Sequence, residues 1–462
     1  MRGKREPMMR HSYRAIGIFL LVLAILAASV TPLASQASDA ELVLQALTVL
    51  REHYVDPLDP ITLLNAAIGG IRRVLSGAGL PVDSLAALPP GLPEGEARQV
   101  FLATFTTAST QYQGPARELA YAAIRAMTES LHDSHTAFLG PEQYQERLRQ
   151  QRGEPAFSGV GIILMERGGK FYVREVIPGG PAEAAGVRPL DRIVMVDGRP
   201  TSGMTISQIS TLIRGPTGTT VILSIQRAGV PEPLVIPITR SPIRLPAVRA
   251  ERIEQGILYL RIYGFNPGTA AQIQDAIYRL GGLQDEAMIL DLRGNPGGFL
   301  NELTRVAELF LPRGTPIYQM REREMPAVTV RTRSVPLIPP WTRVSVLIDE
   351  GSASAAELLS AAFQESGRGT LVGTKTAGAV EASILIRLSD GSALSVTVAR
   401  MYTGLGKRLE GEGVTPDIPV DLSDADLDAG RDSQLEAAIR IALPTPAEVT
   451  LPHRAPQLVF QF

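Results

Sequence analysis

Apolar residues recur at helical spacing from Ala40 to Tyr54, through Leu42, Leu44, Leu47 and Leu50, and again from Ile61 to Leu75. That spacing lays them along one stripe, so two amphipathic helices are expected. Residues 76–115 carry Pro89-Pro90, Gly91 and Pro93 and read as an irregular connection around one short helix, Ala97 to Thr106. Helical spacing returns from Arg117 to Leu131 and stops at Leu131-His132-Asp133-Ser134-His135-Thr136, which puts two imidazoles on a loop.

From Phe157 to Thr239 the pattern changes to short β runs with glycine turns, at Val160–Leu164, Phe171–Val173, Arg192–Val196 and Val221–Ile225, with a helix over Thr205–Ile213 between them. After Leu245 a larger α/β pattern begins. Strands are predicted at Ile257–Ile262, Ala287–Leu292 and Arg343–Ile348, and helices at Pro267–Leu280, Glu302–Leu311 and Ser354–Ser366. The remainder to Val420 reads as further strand. No internal repeat stands out.

The N-terminus has a basic run ending at Arg14, an apolar stretch from Ala15 to Val30 and small residues around Ser35-Gln36-Ala37. This is the pattern of a secretory signal, with extension to Leu33 as an uncleaved membrane tether the alternative. Either way the rest of the chain is expected to be exported, to the periplasm, the cell envelope or the medium. The predicted divisions are a signal or anchor over 1–37, a helical region over 38–150, a small β module over 157–242, an α/β domain over 243–425 and a tail over 426–462. A chain of 462 residues is long enough for several such units.

Composition removes whole classes of function. Forty-five basic and 47 acidic residues give a net charge of −2, which provides no basic field for nucleic acid. Cysteine is absent, so disulfides, a thiol nucleophile and thiolate-bound zinc are excluded.

The strongest chemical candidate follows the strand Val344–Ile348. There Asp349-Glu350-Gly351-Ser352-Ala353-Ser354 leads straight into the helix Ala355-Ala356-Glu357. A helix start offers unpaired N–H groups and a positive dipole end, so an oxyanion forming beside Ser354 would be stabilised where it appears. Taken alone, Ser352 or Ser354 also reads as an ordinary N-cap. A second segment, Arg293-Gly294-Asn295-Pro296-Gly297-Gly298, follows the strand Ala287–Leu292, and its glycines let backbone amides approach a substrate closely.

The runs D-L-R-G-N-P-G-G, G-S-A-S-A-A-E, V-G-T-K-T-A-G and E-G-E-G-V-T-P-D-I occur in the order found in the carboxyl-terminal processing proteases, which the chain resembles over residues 40–425. The small β module, with F-S-G-V-G-I and G-G-P-A-E-A-A-G-V-R-P-L-D-R-I-V-M-V-D-G, looks like the PDZ domain of that family. The resemblance implies an α+β multidomain fold: a crotonase-like, ClpP-like α/β catalytic core with an inserted PDZ-like module and an N-terminal helical region. It also implies Ser354 as nucleophile, and an oxyanion hole from the amide of Ala355 with that of Gly297 or Gly298.

The pattern breaks at the base. Where the family has a lysine in T-F-G-K-G-x-x-Q, this chain has Thr376-Ala377-Gly378-Ala379-Val380-Glu381-Ala382-Ser383, with Ala379 at the lysine position and Ser383 at the glutamine. A serine hydroxyl needs a base within reach. Lys375 and Lys407 are poorly placed substitutes, whereas an imidazole accepts a proton near neutral pH. Asp133-Ser134-His135-Thr136 resembles the serine–histidine pair of tricorn-type relatives, which implies His135 as base, Ser134 in support and a glutamate late in the chain. Glu410 is the better match and Glu412 the alternative. No metal or cofactor is expected.

For the PDZ-like module, β-augmentation implies Val160-Gly161-Ile162 as the loop that captures a terminal carboxylate. Ile209 or Leu212 on the helix would meet the last side chain of the peptide. Arg214 either senses the docked chain or caps that helix. The expected partners are unfolded or tail-exposed proteins with apolar C-termini. Two other readings stay open: a scaffold that lost its base and binds peptides only, suggested by Ala379, and an acyl-transfer enzyme acting on small thioesters.

Overall fold

The computed structural model of the protein describes residues 38–152, 158–253 and 256–443. The signal-like segment and the last 19 residues lie outside the described residues. Among the described residues no helix is long and apolar enough to cross a membrane.

Helices Asp39–His53 and Pro60–Gly77 form where the apolar spacing predicts them, each opened by a side chain that accepts a helix N–H, Ser38 and Asp59. The next helix, Glu94–Gln111, is much longer than expected. Its buried face, Ala97, Phe101, Phe105 and Ala108, is interrupted by threonines and serine, which made the helix read as ending at Thr106. Their hydroxyls instead bond back to the helix, as Thr104 does to the Val100 carbonyl and Thr107 to that of Ala103. Burying Phe101 and Phe105 contributes about 1.5–3 kcal/mol each, which outweighs a helix-propensity cost of up to about 0.7 kcal/mol per threonine. Helix Ala116–Glu129 completes the bundle, and its core extends onto Phe138, Leu394 and Val396 of the neighbouring sheet. Strand Ala137–Leu139 and helix Pro141–Gln151, which the sequence did not mark, follow the histidine loop.

The small β module has its own core around Phe171, Val173, Ile193 and Leu223. Its sheet runs in the order Ile162–Arg167, Lys170–Val176, Arg192–Val196, Thr220–Gln226 and Leu234–Thr239, all antiparallel. Ile162–Arg167 is therefore an edge strand. Helix Ile206–Ile213 is opened by a capping box between Thr205 and Gln208.

The larger α/β unit is built on a six-stranded sheet, Val248–Arg252, Leu258–Ile262, Ala287–Asp291, Arg343–Ile348, Thr370–Gly373 and Ile418–Pro419, parallel after its first antiparallel pair. The central strands are buried along their whole length, as a sheet covered on both faces requires. Asp291 pairs with Leu347, so both central strands end at one edge and the glycine turns that follow them become neighbours. Sites in open α/β sheets gather at that edge. An antiparallel sheet, with Ala393–Thr403 at its centre, packs alongside and carries Ala382–Arg387 at one edge.

The segment after Asp424 is more than a tail. Helix Asp424–Asp428 lies on the small β module, where Asp428 pairs with Lys170 at 2.8 Å and Leu427 packs with Met165 and Tyr172. Helix Ser433–Ala442 covers the sheet's other face through Ala437, Ala438 and Ala442, at the i, i+1, i+5 spacing of one stripe.

Candidate active site

Helix Ala355–Glu365 begins directly after Ser354, which sits at φ +55 and ψ −120. Positive φ is unusual for a residue with a side chain and costs on the order of 1–3 kcal/mol, so the surrounding bonds must enforce it. They do so through the backbone. The Ser354 N–H donates to the Ala379 carbonyl at 2.7 Å and to Glu357 Oε2 at 3.1 Å, and the Ser354 carbonyl accepts from the N–H of Glu357.

Glu357 is fully buried. It accepts from the Thr376 hydroxyl at 2.5 Å and from the amides of Gly378 at 2.7 Å and Ala379 at 2.9 Å. Burial raises its pKa from the usual carboxylate value, and those donors oppose the shift. This carboxylate clamps the 376–379 turn against Ser354. A glutamate three residues into a helix after serine is the visible signal, and it was read only as part of a motif.

Gly297 and Gly298 reach the same point from the other turn. A Cβ on Gly297 would fall 2.6 Å from that of Ser354 and 2.9 Å from the Ala355 nitrogen, and one on Gly298 2.5 Å from the Phe265 carbonyl oxygen. With φ of +94 and +146, both positions call for glycine. The two amides differ in availability. The Gly297 N–H donates to Asn295 Oδ1 at 2.8 Å, so Gly297 shapes the turn and does not offer its amide, contrary to one of the sequence alternatives. The amides of Gly298 and Ala355 have no acceptor among the described residues. Asn295, fully buried, holds the turn through its Nδ2–H to Ile262 O at 2.9 Å, and its carbonyl accepts from the Ala353 N–H at 2.9 Å.

His135 and Ser134 follow a loop whose anchor is Asp133. Asp133 Oδ1 accepts from the amides of His135 at 2.7 Å and Thr136 at 3.2 Å and from the Thr397 hydroxyl at 2.8 Å. Ser134 Oγ lies 2.7 Å from His135 Nδ1 and 2.6 Å from Glu410 Oε1. A carboxylate only accepts, so the hydroxyl donates its proton to Glu410 and accepts from Nδ1–H, which leaves the lone pair on Nε2. Glu410 Oε2 accepts from the Val380 N–H at 2.8 Å, next to the Ala379 that holds Ser354. Burial lowers the His135 pKa from its usual 6.5, and the charges of Glu410 and Asp133 oppose the shift. The shift favours the neutral imidazole. Ser354 and His135 are not hydrogen-bonded to each other in this structure.

Glu412 is exposed and makes no side-chain bond to the site. Lys375 and Lys407 are also exposed, with no bond to Ser354, His135 or Glu410. Ser383 accepts from Ser395 on the adjoining strand at 3.1 Å and takes no part. Among the described residues no cluster of histidine, aspartate and glutamate suited to a metal ion occurs.

In the small β module Gly161 has φ +81 and its carbonyl accepts from the Ile177 N–H. Val160 and Ile209 are buried, the latter wholly within the core, while Ile162 and Leu212 remain partly open at the groove. The helix C-terminus is capped by Arg240, whose guanidinium bonds the carbonyls of Ile213 at 2.7 Å and Leu212 at 3.0 Å. Arg214 occupies the C-cap position itself, its N–H donating to the Ser210 carbonyl at 3.0 Å. No sequence signal set Arg240 apart, because it follows the Ile213 carbonyl it bonds by 27 residues.

These features define a serine-type peptidase core joined to a peptide-binding module. Peptidase family S41 matches residues 256–420 and the PDZ domain matches residues 172–227. The chain is 33% identical to the carboxy-terminal processing protease CtpA of Bacillus subtilis, over 65% of this chain and 64% of that one. It is also 33% identical to the carboxyl-terminal-processing protease of Synechocystis, over 70% of this chain and 77% of that one. The solved structure of a photosystem II D1 C-terminal processing protease superposes with a TM-score of 0.53 at 26% identity, covering 88% of this chain and 97% of that one. The chain belongs to the carboxyl-terminal processing protease family.

Proposed function

We propose that this exported chain is an endopeptidase that cleaves unfolded or tail-exposed proteins, held by their apolar C-termini in the PDZ groove, with a histidine in place of the lysine base. The reading rests above all on the relay Glu410–Ser134–His135, which fixes the imidazole tautomer and aims a basic Nε2 from the loop. His135 takes the Ser354 proton as Oγ attacks the scissile carbonyl. The developing oxyanion meets the amides of Gly298 and Ala355, whose positions do not change during the reaction. His135 then protonates the leaving amine, and water, activated by the same imidazole, releases the acyl group. Bonds between nucleophile and base are often loose before substrate enters and tighten in the bound complex.

Ala379 favours a second reading, a groove that binds peptides without cutting them. Cleavage of an unfolded protein with an apolar C-terminus separates the two. The parent enzyme is expected to cut, Ser354→Ala and His135→Ala each to lower the rate by about 10⁴-fold or more, and Lys375→Ala to leave it unchanged. An inert parent that still binds the peptide would establish the second reading.

A further inference from the structure

Asp349 touches neither the relay nor the free amide pair, yet it ties together the turns that carry that pair. Its Oδ1 accepts from the Gly294 N–H at 2.6 Å and from the Gly351 N–H at 3.0 Å. Gly294 opens the turn that ends at Gly298, and Gly351 the turn that ends at Ala355. The two glycines stand back to back, since a Cβ on Gly351 would fall 2.8 Å from the Gly294 Cα. One carboxyl oxygen therefore fixes the spacing of both turns.

The other oxygen faces the PDZ module. Arg174, on strand Lys170–Val176, brings Nη1 to 2.5 Å from Asp349 Oδ2. A Cβ on Gly294 would fall 2.6 Å from the same nitrogen, so the guanidinium lies directly against the turn. The Asp349 side chain is 6% exposed and that of Arg174 21%. A carboxylate this buried needs a compensating cation, and Arg174 supplies it from another domain. The next residue, Glu175, seats the strand on the core through Arg261 at 3.3 Å and the Tyr263 hydroxyl.

We propose that Arg174 is a positioning residue of the PDZ module that, through Asp349, sets the spacing of the Gly298 and Ala355 amides, so that the oxyanion hole is complete only while this strand is seated on the catalytic core. The inference rests on the proposed serine chemistry. It makes the seated PDZ module part of the catalytic apparatus as well as a substrate clamp.

The test is the rate at which a small fluorophosphonate modifies Ser354 in the full chain. The Ser354 oxygen forms a bond to phosphorus, fluoride leaves and His135 takes the proton, so the rate reads nucleophile, base and oxyanion hole without using the PDZ groove. Arg174→Gln is expected to slow modification and to lower kcat on an unfolded protein substrate together, by roughly 10–100-fold. KM, and the Kd of a fluorescent C-terminal peptide for the groove, should stay within about twofold of the parent. Arg174→Lys, which keeps the cation and loses the planar fork, is expected to fall between the two, and it carries the test alone if Arg174→Gln fails to fold. Modification at the parent rate in the folded variant, with KM and Kd raised instead, would mean that Arg174 only seats the module, and the inference fails. If the parent itself is not modified at Ser354, the serine chemistry fails first.

Discussion

Ser354, Ala355 and Gly298 lie in two short turns that each continue a parallel strand, while Ser134 and Glu410 come together from 276 residues apart. The Ser354 side is held through backbone N–H groups: that of Ser354 on the Ala379 carbonyl, that of Gly297 on the Asn295 side chain, and Glu357 gathering three amides and a hydroxyl. On the His135 side backbone amides anchor Asp133 and Glu410, but the contacts that place the proton run from side chain to side chain, Glu410 to Ser134 to His135. Backbone geometry tolerates exchange of neighbouring side chains, so the lysine position of the family can hold Ala379 without disturbing the nucleophile: that residue contributes only its amide and its carbonyl here. A side-chain relay has no such tolerance, because each member sets the proton position of the next.

Breaking the backbone side at Gly298 should therefore give the largest effect short of removing Ser354 or His135. Gly298→Ala places a methyl 2.5 Å from the Phe265 oxygen at a φ that alanine rarely adopts. The turn must shift and the amide must turn away, and kcat/KM is expected to fall by about 10²–10³-fold, with the PDZ affinity for peptide unchanged. A smaller loss would show that the Ala355 amide alone carries the oxyanion.

Breaking the relay at its far end should be milder. Glu410→Gln keeps the shape but offers an amide that can present either its oxygen or its N–H₂ to Ser134, so the tautomer of His135 is no longer fixed. Turnover is expected to drop by roughly 10–100-fold. Removal of the Glu410 charge also takes away a contribution that raises the His135 pKa, so the acid limb of the rate profile should move to lower pH. An acid limb that stays in place would argue that Glu410 does not sense His135.

How much of this was legible in the chain follows the same division. Strand–glycine turn–helix is a local pattern, so the seat of Ser354 and the turn at Gly297-Gly298 could be read from consecutive residues. The choice between Gly297 and Gly298 could not, because it depends on the side chain of Asn295, whose role emerges only when the turn folds. His135 was visible through the rarity of histidine and the missing lysine, and Glu410 through resemblance alone. Arg174 and Asp349 were invisible: an arginine on a β strand and an aspartate after one are ordinary residues until the domain interface brings them to 2.5 Å. The helix Glu94–Gln111 was read too short, as Ala97 to Thr106, because threonine-rich stretches lack helix signals when their hydroxyls are not yet known to bond inward.

The smallest expected effect is on stability, and it separates the two sides by pH. His135 has a folded pKa below its unfolded value near 6.5, because burial disfavours the charged ring. Between those two values the unfolded chain binds more protons than the folded one, so stability rises with pH across that window. The contribution is complete above pH 6.5, declines as pH falls toward the folded pKa and levels off below it. Urea denaturation of the parent and of His135→Gln from pH 7.5 to 5 should show a steeper acid decline for the parent, with the two curves converging in slope above pH 7. The Ser354→Ala variant, which removes no titrating group, should keep the parent slope. If His135→Gln declines as steeply as the parent, then the imidazole is solvated in the folded enzyme, and the relay would have to act on a ring that is largely protonated in mild acid.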